Sequence, residues 1–472
     1  MTFRVISGGR DDAAERGLLI HGASEIATLA GGLRAGDGQG DIAVLAPDGS
    51  GGLGDPRNSG GAGGAGGGRG AGGDGPVVAA WDGRIVAVGS AEEAGQELAA
   101  RGLRLDRFTR LDARGGSVTP GLVDPHTHLL FAGTREDELR LRQRGAGYLD
   151  ILAAGGGILS TVAATRAATS DQLLEHGRRW LREMLSHGVT TIEAKSGYGL
   201  DLGTELRLLE VYGRLADEGP IDVVPTYLGA HAVPPEFRGG GDATDAYVRN
   251  VIDEQLPAVA SQGIARFCDV FCEEGVFSAD QTRAILVAAA AVGLRARLHA
   301  DELAPSGGAQ LAAELGAASA DHLAAISDAG IDSLANAATA DRAVVATLLP
   351  ATTWFLMSNH FAPARKLIDR GVPIALGTDF NPGTSPTSNL PLAMTIACLS
   401  LGLSPEEALT AVTVNAAHAV GRNEDVGSLE VGKLADLVIW RIPRVAQIPY
   451  WPGAELVRTV VKRGQVVLER DY

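Results

Sequence analysis

Cysteine is scarce in this 472-residue chain, at three residues: Cys268, Cys272 and Cys398. Three thiols cannot all pair, so a disulfide-stapled secreted scaffold is excluded and a reducing, cytoplasmic setting is expected. Long apolar runs are also missing. The longest, residues 284–294, has 11 residues between Arg283 and Arg295, far short of the ~20 that span a bilayer. The opening residues, MTFRVISGGRDDAAERG, hold no apolar stretch of the signal-peptide kind. Positive charge is in deficit: 41 Lys and Arg against 57 Asp and Glu give a formal net charge of −16. Nucleic acid and anionic membrane are therefore not expected partners. Aromatic residues make up only 5%, yet the 45% apolar share leaves ample material for a core and excludes disorder for the chain as a whole.

One segment departs from this composition. Residues 49–75 contain 15 glycines in 27 positions, a stretch with almost nothing to bury that reads as a flexible surface insertion. A phosphate-cradling loop would need a preceding strand, a following helix and a GK[ST] or spaced GxGxxG pattern, and none is present. Around it lie short strand-like runs at 17–21, 41–45, 77–81 and 84–89, with more at 435–440 and 455–467. Strands at both ends of the chain predict a composite small β-sandwich domain from 1–119 plus 421–472, enclosing a different unit at 120–420.

That middle unit alternates. Strand-like segments fall at 121–126, 190–194, 223–228, 268–272, 297–299, 318–321, 343–348 and 373–376, with helical stretches such as 171–186 and 278–292 between them. In the first helix Ser170 is the expected N-cap, and Leu173, Leu174, Trp180, Leu181, Met184 and Leu185 form the expected apolar face. Eight strands alternating with helices predict an α/β fold with a (β/α)8 barrel, and a doubly wound open sheet is the alternative that pattern alone leaves.

In a barrel, active groups lie just past the carboxyl ends of the strands. Strand one ends in Asp124-Pro125-His126-Thr127-His128 and strand three in Gly229-Ala230-His231. Strand five ends in His299-Ala300-Asp301-Glu302, strand six in Asp321-His322 and strand eight in Gly377-Thr378-Asp379. His126 and His128, two apart, share one strand face. With His299 and Asp379 they make a nitrogen and oxygen donor set suited to a catalytic metal that keeps a position for water. Cys268 and Cys272 have no second pair to complete a structural zinc site, and buried thiols are the better expectation.

The blocks PGLVDPHTHLLFAG, HADEL, SADHL, LGTDFNPGTSP and GSLEVGKLADLVIW resemble the amidohydrolase superfamily of metal-dependent hydrolases. Within it, LLFAGTREDE, YLDILAAGGGI, IEAKSGYGL, PTYLGAHAVP and DVFCEEGVFS resemble the branch that hydrolyses a cyclic amide in histidine degradation. The resemblance implies one Zn²⁺ or Fe³⁺ per chain on His126, His128, His299 and Asp379. It implies substrate contacts from Arg135, Tyr198, His231 and Glu302, with Asn381, Gly383 and Thr384 near the product. The implied substrate is 4-imidazolone-5-propanoate, a small anion, and a homodimer is a further family expectation. Two-metal relatives usually hold a modified lysine on strand four. Here that strand ends Phe271-Cys272-Glu273-Glu274, so one metal is expected, and Lys195 reads as a polar-network residue.

The chemistry agrees with those positions. Asp379 can accept the proton of the attacking water, Glu302 can pass one to the departing nitrogen, and His322 can hydrogen-bond the water or the developing oxyanion. Arg135 can grip the propanoate through two parallel hydrogen bonds. Blander roles remain for each: Glu302 as a solvated loop acid, His322 and His231 as packed histidines, Tyr198 as a core aromatic, and Arg135 as a surface arginine beside Glu136, Asp137 and Glu138. A mononuclear deaminase of heterocyclic bases and an inactive binding protein on the same fold are the competing functions.

The insertion yields a first prediction. Deleting residues 51–73 should leave turnover and melting temperature nearly unchanged, because glycine-rich coil buries little and loop entropy grows slowly with length. A melting temperature lower by many degrees in the deletion variant would contradict this.

Overall fold

A computed structural model describes residues 4–5, 17–47, 75–145, 156–238, 243–340 and 342–470. Apart from Gly75, the glycine-rich insertion lies outside the described residues, as does most of the YLDILAAGGGI block.

Eight parallel strands form one sheet in sequential order: β1 (Leu122–Asp124), β2 (Val189–Lys195), β3 (Asp222–Ala230), β4 (Phe267–Cys272), β5 (Arg295–Ala300), β6 (Ser319–His322), β7 (Val345–Leu348) and β8 (Ile374–Leu376). Sequential order without a reversal rules out the doubly wound alternative, which needs a switch point. Every residue of β2 and β4 is buried, as befits parallel strands covered on both faces. Cys268 and Cys272 are among them, as free thiols. The ring closes just past the strand ends, where the amide of Asp379 donates to the carbonyl of His126 at 3.0 Å and that of His128 to Phe380 at 2.9 Å. The seam of the barrel is thus the segment that carries three of the expected metal ligands.

Helices cover the outside. In Ser170–Ser186 the buried stripe is Leu173, Leu174, Gly177, Leu181, Met184 and Leu185. Its N-cap is Thr169 rather than Ser170: the Thr169 hydroxyl accepts from the amide of Gln172, whose side chain accepts from the amide of Thr169. The residue three beyond Ser170 is Leu173, which cannot reciprocate in that way. Trp180 is only half buried and packs on Phe380, with ring centroids 4.5 Å apart. No helix among the described residues is long and apolar enough to cross a membrane.

Two further sheets stand outside the barrel. A seven-stranded sheet runs Arg4–Val5, Gln465–Glu469, Val457–Lys462, Leu437–Trp440, Ser117–Pro120, Glu25–Ala27 and Val44–Leu45, joining both chain ends. A four-stranded sheet runs Arg84–Gly89, Val77–Trp81, Gly17–His21 and Phe108–Asp112. They share a core of Ile20, Val78, Ala80, Ile85, Val118, Leu437, Ile439 and Val461. Two expected strands change shape. The run at 41–45 pairs as a strand only at Val44–Leu45, after a 3₁₀ turn at Gly36–Gly40. The run at 455–467 is a hairpin, because Arg463 and Gly464 take φ of +48° and +72°, the left-handed pair that a tight two-residue turn requires.

One cation ties this sheet to the barrel. Lys462 Nζ donates to the Thr190 carbonyl at 3.0 Å and to Asp436 at 2.6 Å, and lies 3.0 Å from Asp222. Removing one partner of a buried ion pair typically costs about 3–5 kcal/mol. Lys462→Met should lower unfolding stability on that scale in a denaturant titration, without loss of bound metal.

Candidate active site

The groups at the strand ends converge on one cavity, lined among others by His128, Tyr198, His231, His299, Glu302, His322 and Asp379. Arg135, Asn381 and Thr384 also line it. His126 lies beneath, fully buried. Several of these positions are held in left-handed backbone that non-glycine residues rarely adopt: φ is +50° at Asp301, +75° at His322 and +51° at Asp379. Such strain concentrates at functional sites.

The metal-ligand candidates are set by what stands behind them. His126 Nδ1 donates to Asp321 at 2.7 Å, and His299 Nδ1 donates to Asp269 at 3.1 Å. A carboxylate can only accept, so each ring carries its proton on Nδ1 and turns an Nε2 lone pair inward. His126 Nε2 and His128 Nε2 each lie 3.4 Å from Asp379 Oδ1, and His299 Nε2 lies 3.4 Å from His128 Nε2. Ligand atoms at ~2.05 Å from a tetrahedral centre would stand about 3.3 Å apart. His126 Nε2 is buried without a hydrogen-bond partner among the described residues. Converging lone pairs repel one another unless a cation sits between them, so the donor set fits a metal ion. His126, His128 and His299 form one cluster able to hold an ion, and His126, His322 and Asp379 an overlapping one.

Protonation follows. Burial, reinforced by Lys195, pushes the His126 imidazole down to about 3, and burial takes His128 to about 4. Burial also presses on His299, but Asp269 outweighs it and the net shift is upward. Asp379 falls well below the usual carboxylate range, its burial outweighed by His126 and His128. Its Oδ2 accepts the Thr352 hydroxyl at 2.6 Å, which turns Oδ1 toward the histidines.

Beneath lies a cluster of buried charges. Lys195 Nζ donates to Asp269 at 2.7 Å and to Glu193 at 2.9 Å, and stands 3.6 Å from Asp321. Arg297 donates to Asp321 at 3.0 Å. Lys195 is thus a network residue, as expected. Asp269, in the middle of an apolar strand, was not among the expected site residues. A charge inside an otherwise apolar strand needs a partner, and that is the signal that could have found it.

At the cavity mouth, the side chain of Arg135 is turned inward and only 6% exposed. Its Nε and Nη2 donate to the two carboxylate oxygens of Glu138 at 2.9 and 2.8 Å. An added Cβ on Gly383 would come within 2.0 Å of Arg135 Nη1, so glycine is what lets the guanidinium lie against that loop. Asn381 spends its side chain locally, donating to the Asp379 carbonyl at 2.7 Å and accepting from the amides of Gly383 and Thr384 at 2.8 and 2.7 Å. His231 donates from Nδ1 to the Gly197 carbonyl at 3.0 Å and stacks on His128 with ring centroids 4.9 Å apart. Burial, helped by His128 and His299, holds His231 neutral. Glu302 lies 3.6 Å from His322 Nε2, and its amide, with those of Leu303 and Ala304, is gripped by buried Glu273.

A sequence profile described as an amidohydrolase family matches residues 134–468. The chain is 53% identical over 387 residues to the imidazolonepropionase of Geobacillus kaustophilus, covering 82% of this chain and 88% of that protein. It is 48% identical over 454 residues to the imidazolonepropionase of Symbiobacterium thermophilum, covering 96% and 97% respectively. The crystal structure of an adenosine deaminase from Xanthomonas campestris with bound zinc superposes with a TM-score of 0.62 at 19% identity, over 95% of this chain and 92% of that one. That likeness is one of fold.

Groups that orient metal-binding histidines typically contribute 10–100-fold to metal affinity. Asp269→Asn and Asp321→Asn should each weaken metal binding by about that factor in a chelator competition, with the fold retained. Unaltered affinity in both variants would separate these carboxylates from the site.

Proposed function

The chain belongs to the amidohydrolase family and, within it, to the imidazolonepropionases, and from that premise we propose how its residues open the ring of 4-imidazolone-5-propanoate. Water adds across the bond between the ring carbonyl carbon and the adjacent nitrogen. The carbonyl becomes a carboxylate, the nitrogen gains a proton, and the product is N-formimidoyl-L-glutamate. The observation that carries this reading is that His128, His299 and Asp379 line one cavity with Arg135, Tyr198, His231 and Glu302, while His126, buried beneath, belongs to both clusters able to hold an ion. The metal, a single Zn²⁺ or Fe³⁺ in this reading, lowers the pKa of the attacking water toward ~7 when bound.

The remaining roles fall to the chain. Asp379 receives the water's proton, with Thr352 fixing the carboxylate's orientation. Glu302 delivers a proton to the departing nitrogen, and its neighbour His322 hydrogen-bonds the oxygen that gains charge. Neutral His231 and Tyr198 hold the ring and its carbonyl. Arg135 attracts the propanoate, while Asn381, Gly383 and Thr384 shape the wall on which the product rests. A cytoplasmic homodimer completes the proposal.

The direct test is to mix the purified, metal-loaded protein with imidazolone propanoate and follow formimidoylglutamate. Absence of product would end this reading. The anchor is tested separately. Truncating one partner of a desolvated charge pair costs about 2–5 kcal/mol, so Arg135→Ala should lower kcat/KM by roughly 30-fold to several thousand-fold. Metal content should stay intact, and lysine should rescue only in part. An imidazolone without the carboxylate should be processed about equally poorly by both proteins. Equal slowing of the two compounds would remove Arg135 as the carboxylate anchor.

A further inference from the structure

Behind the cavity wall lies a carboxylate to which the mechanism above gives no task. Glu205, in the first turn of the helix Leu202–Glu218, is fully buried and is not part of the cavity lining. Its Oε1 accepts from the amides of Gly199 at 2.7 Å and Leu200 at 2.8 Å, and its Oε2 accepts from that of Gly197 at 3.0 Å. These amides belong to the loop that leaves β2, whose backbone turns through φ of +100° at Gly197 and +58° at Leu200. The loop carries Tyr198 into the cavity, where its ring lies 5.7 Å from His128 and 5.4 Å from His231 between centroids. The carbonyl of Gly197 also accepts the Nδ1 proton of His231. One carboxylate therefore fixes the loop that supplies one cavity side chain and sets the tautomer of another.

We propose that Glu205 is a positioning residue for substrate binding, acting through the amides of residues 197–200 on Tyr198 and His231. The inference rests on the reading of those two side chains as substrate contacts. Strained left-handed backbone persists only where its surroundings over-determine it, and three amides converging on one buried acceptor supply that constraint. Glutamine has the same shape as glutamate but turns an NH₂ donor toward N–H donors, so it cannot make the same set of bonds. An added Cβ on Gly199 would come within 2.8 Å of Glu205 Oε1, so Gly199→Ala disturbs the same contact while leaving the carboxylate in place.

The test compares the wild type, Glu205→Gln, Tyr198→Ala and the double variant, each metal-loaded, on imidazolone propanoate. Amide hydrogen exchange at residues 197–200 is measured alongside. Glu205→Gln should raise KM by roughly tenfold or more, with metal content unchanged and kcat within about threefold, because it withdraws binding rather than chemistry. In the Tyr198→Ala background its effect should shrink below about threefold, since coupled sites are not additive. Exchange protection at 197–200 should fall selectively. Additive effects in the cycle, an unchanged KM or unchanged protection would each overturn the proposal. If Glu205→Gln does not fold, Gly199→Ala takes its place in every arm. If the wild type fails to turn over the compound, the substrate reading falls, and protection at 197–200 alone then decides whether Glu205 holds the loop.

Discussion

A lattice of buried charges under the barrel mouth is the constraint on which the site depends. Glu193, Asp269 and Asp321 face Lys195 and Arg297, and all five side chains are wholly buried. Isolated charges in such a place would cost several kcal/mol each, so the lattice is tenable only because every member has a partner of opposite sign. Three carboxylates against two cations leave one excess negative charge, and Asp379 adds a second. That excess suits a metal cation among the histidines. The same carboxylates hold Nδ1 of His126 and of His299, so the charge balance and the aim of the ligands share a cause.

Above the lattice, the loops that finish the cavity are stitched by buried acids accepting backbone amides. Glu273 holds residues 302–304, and Asp301 holds the start of the helix Gly308–Leu315 through the amides of Gly307, Gly308 and Ala309. Glu138 holds Arg135 and accepts the amide of Gly157 at 2.7 Å. Loops supply most binding groups in barrel enzymes, and a backbone held in this way lets them do so without disorder. The chain's large negative charge is thus partly internal: many of its acids are spent inside the fold.

Much of the architecture was legible because it rests on local patterns. Short apolar runs alternating with amphipathic helices report parallel strands with covering helices, though not their closure into a barrel, and the HxH at 126–128 announces itself because side chains two apart share a strand face. The errors were equally local. Ser170 and Thr169 are both good caps, and only the Gln172 reciprocal bond decides between them. The 455–467 run hides a turn because Arg463-Gly464 reads weakly between the valine pairs at 460–461 and 466–467.

The amino-acid sequence by itself determined the strand and helix order, the placement of His, Asp and Glu at strand ends, and the family. Each of these lies in residue type and spacing along the chain. Only the tertiary structure decided that Asp269 and Asp321 orient His299 and His126, that Thr352 turns Asp379, that Glu138 occupies the fork of Arg135, and that Glu205 braces the Tyr198 loop. Asp321 and His126 are 195 residues apart, and Thr352 and Asp379 are 27 apart on neighbouring strand ends. Contacts at such separations arise when the barrel closes and brings distant strand ends within hydrogen-bond reach, and no periodicity of the chain encodes that closure.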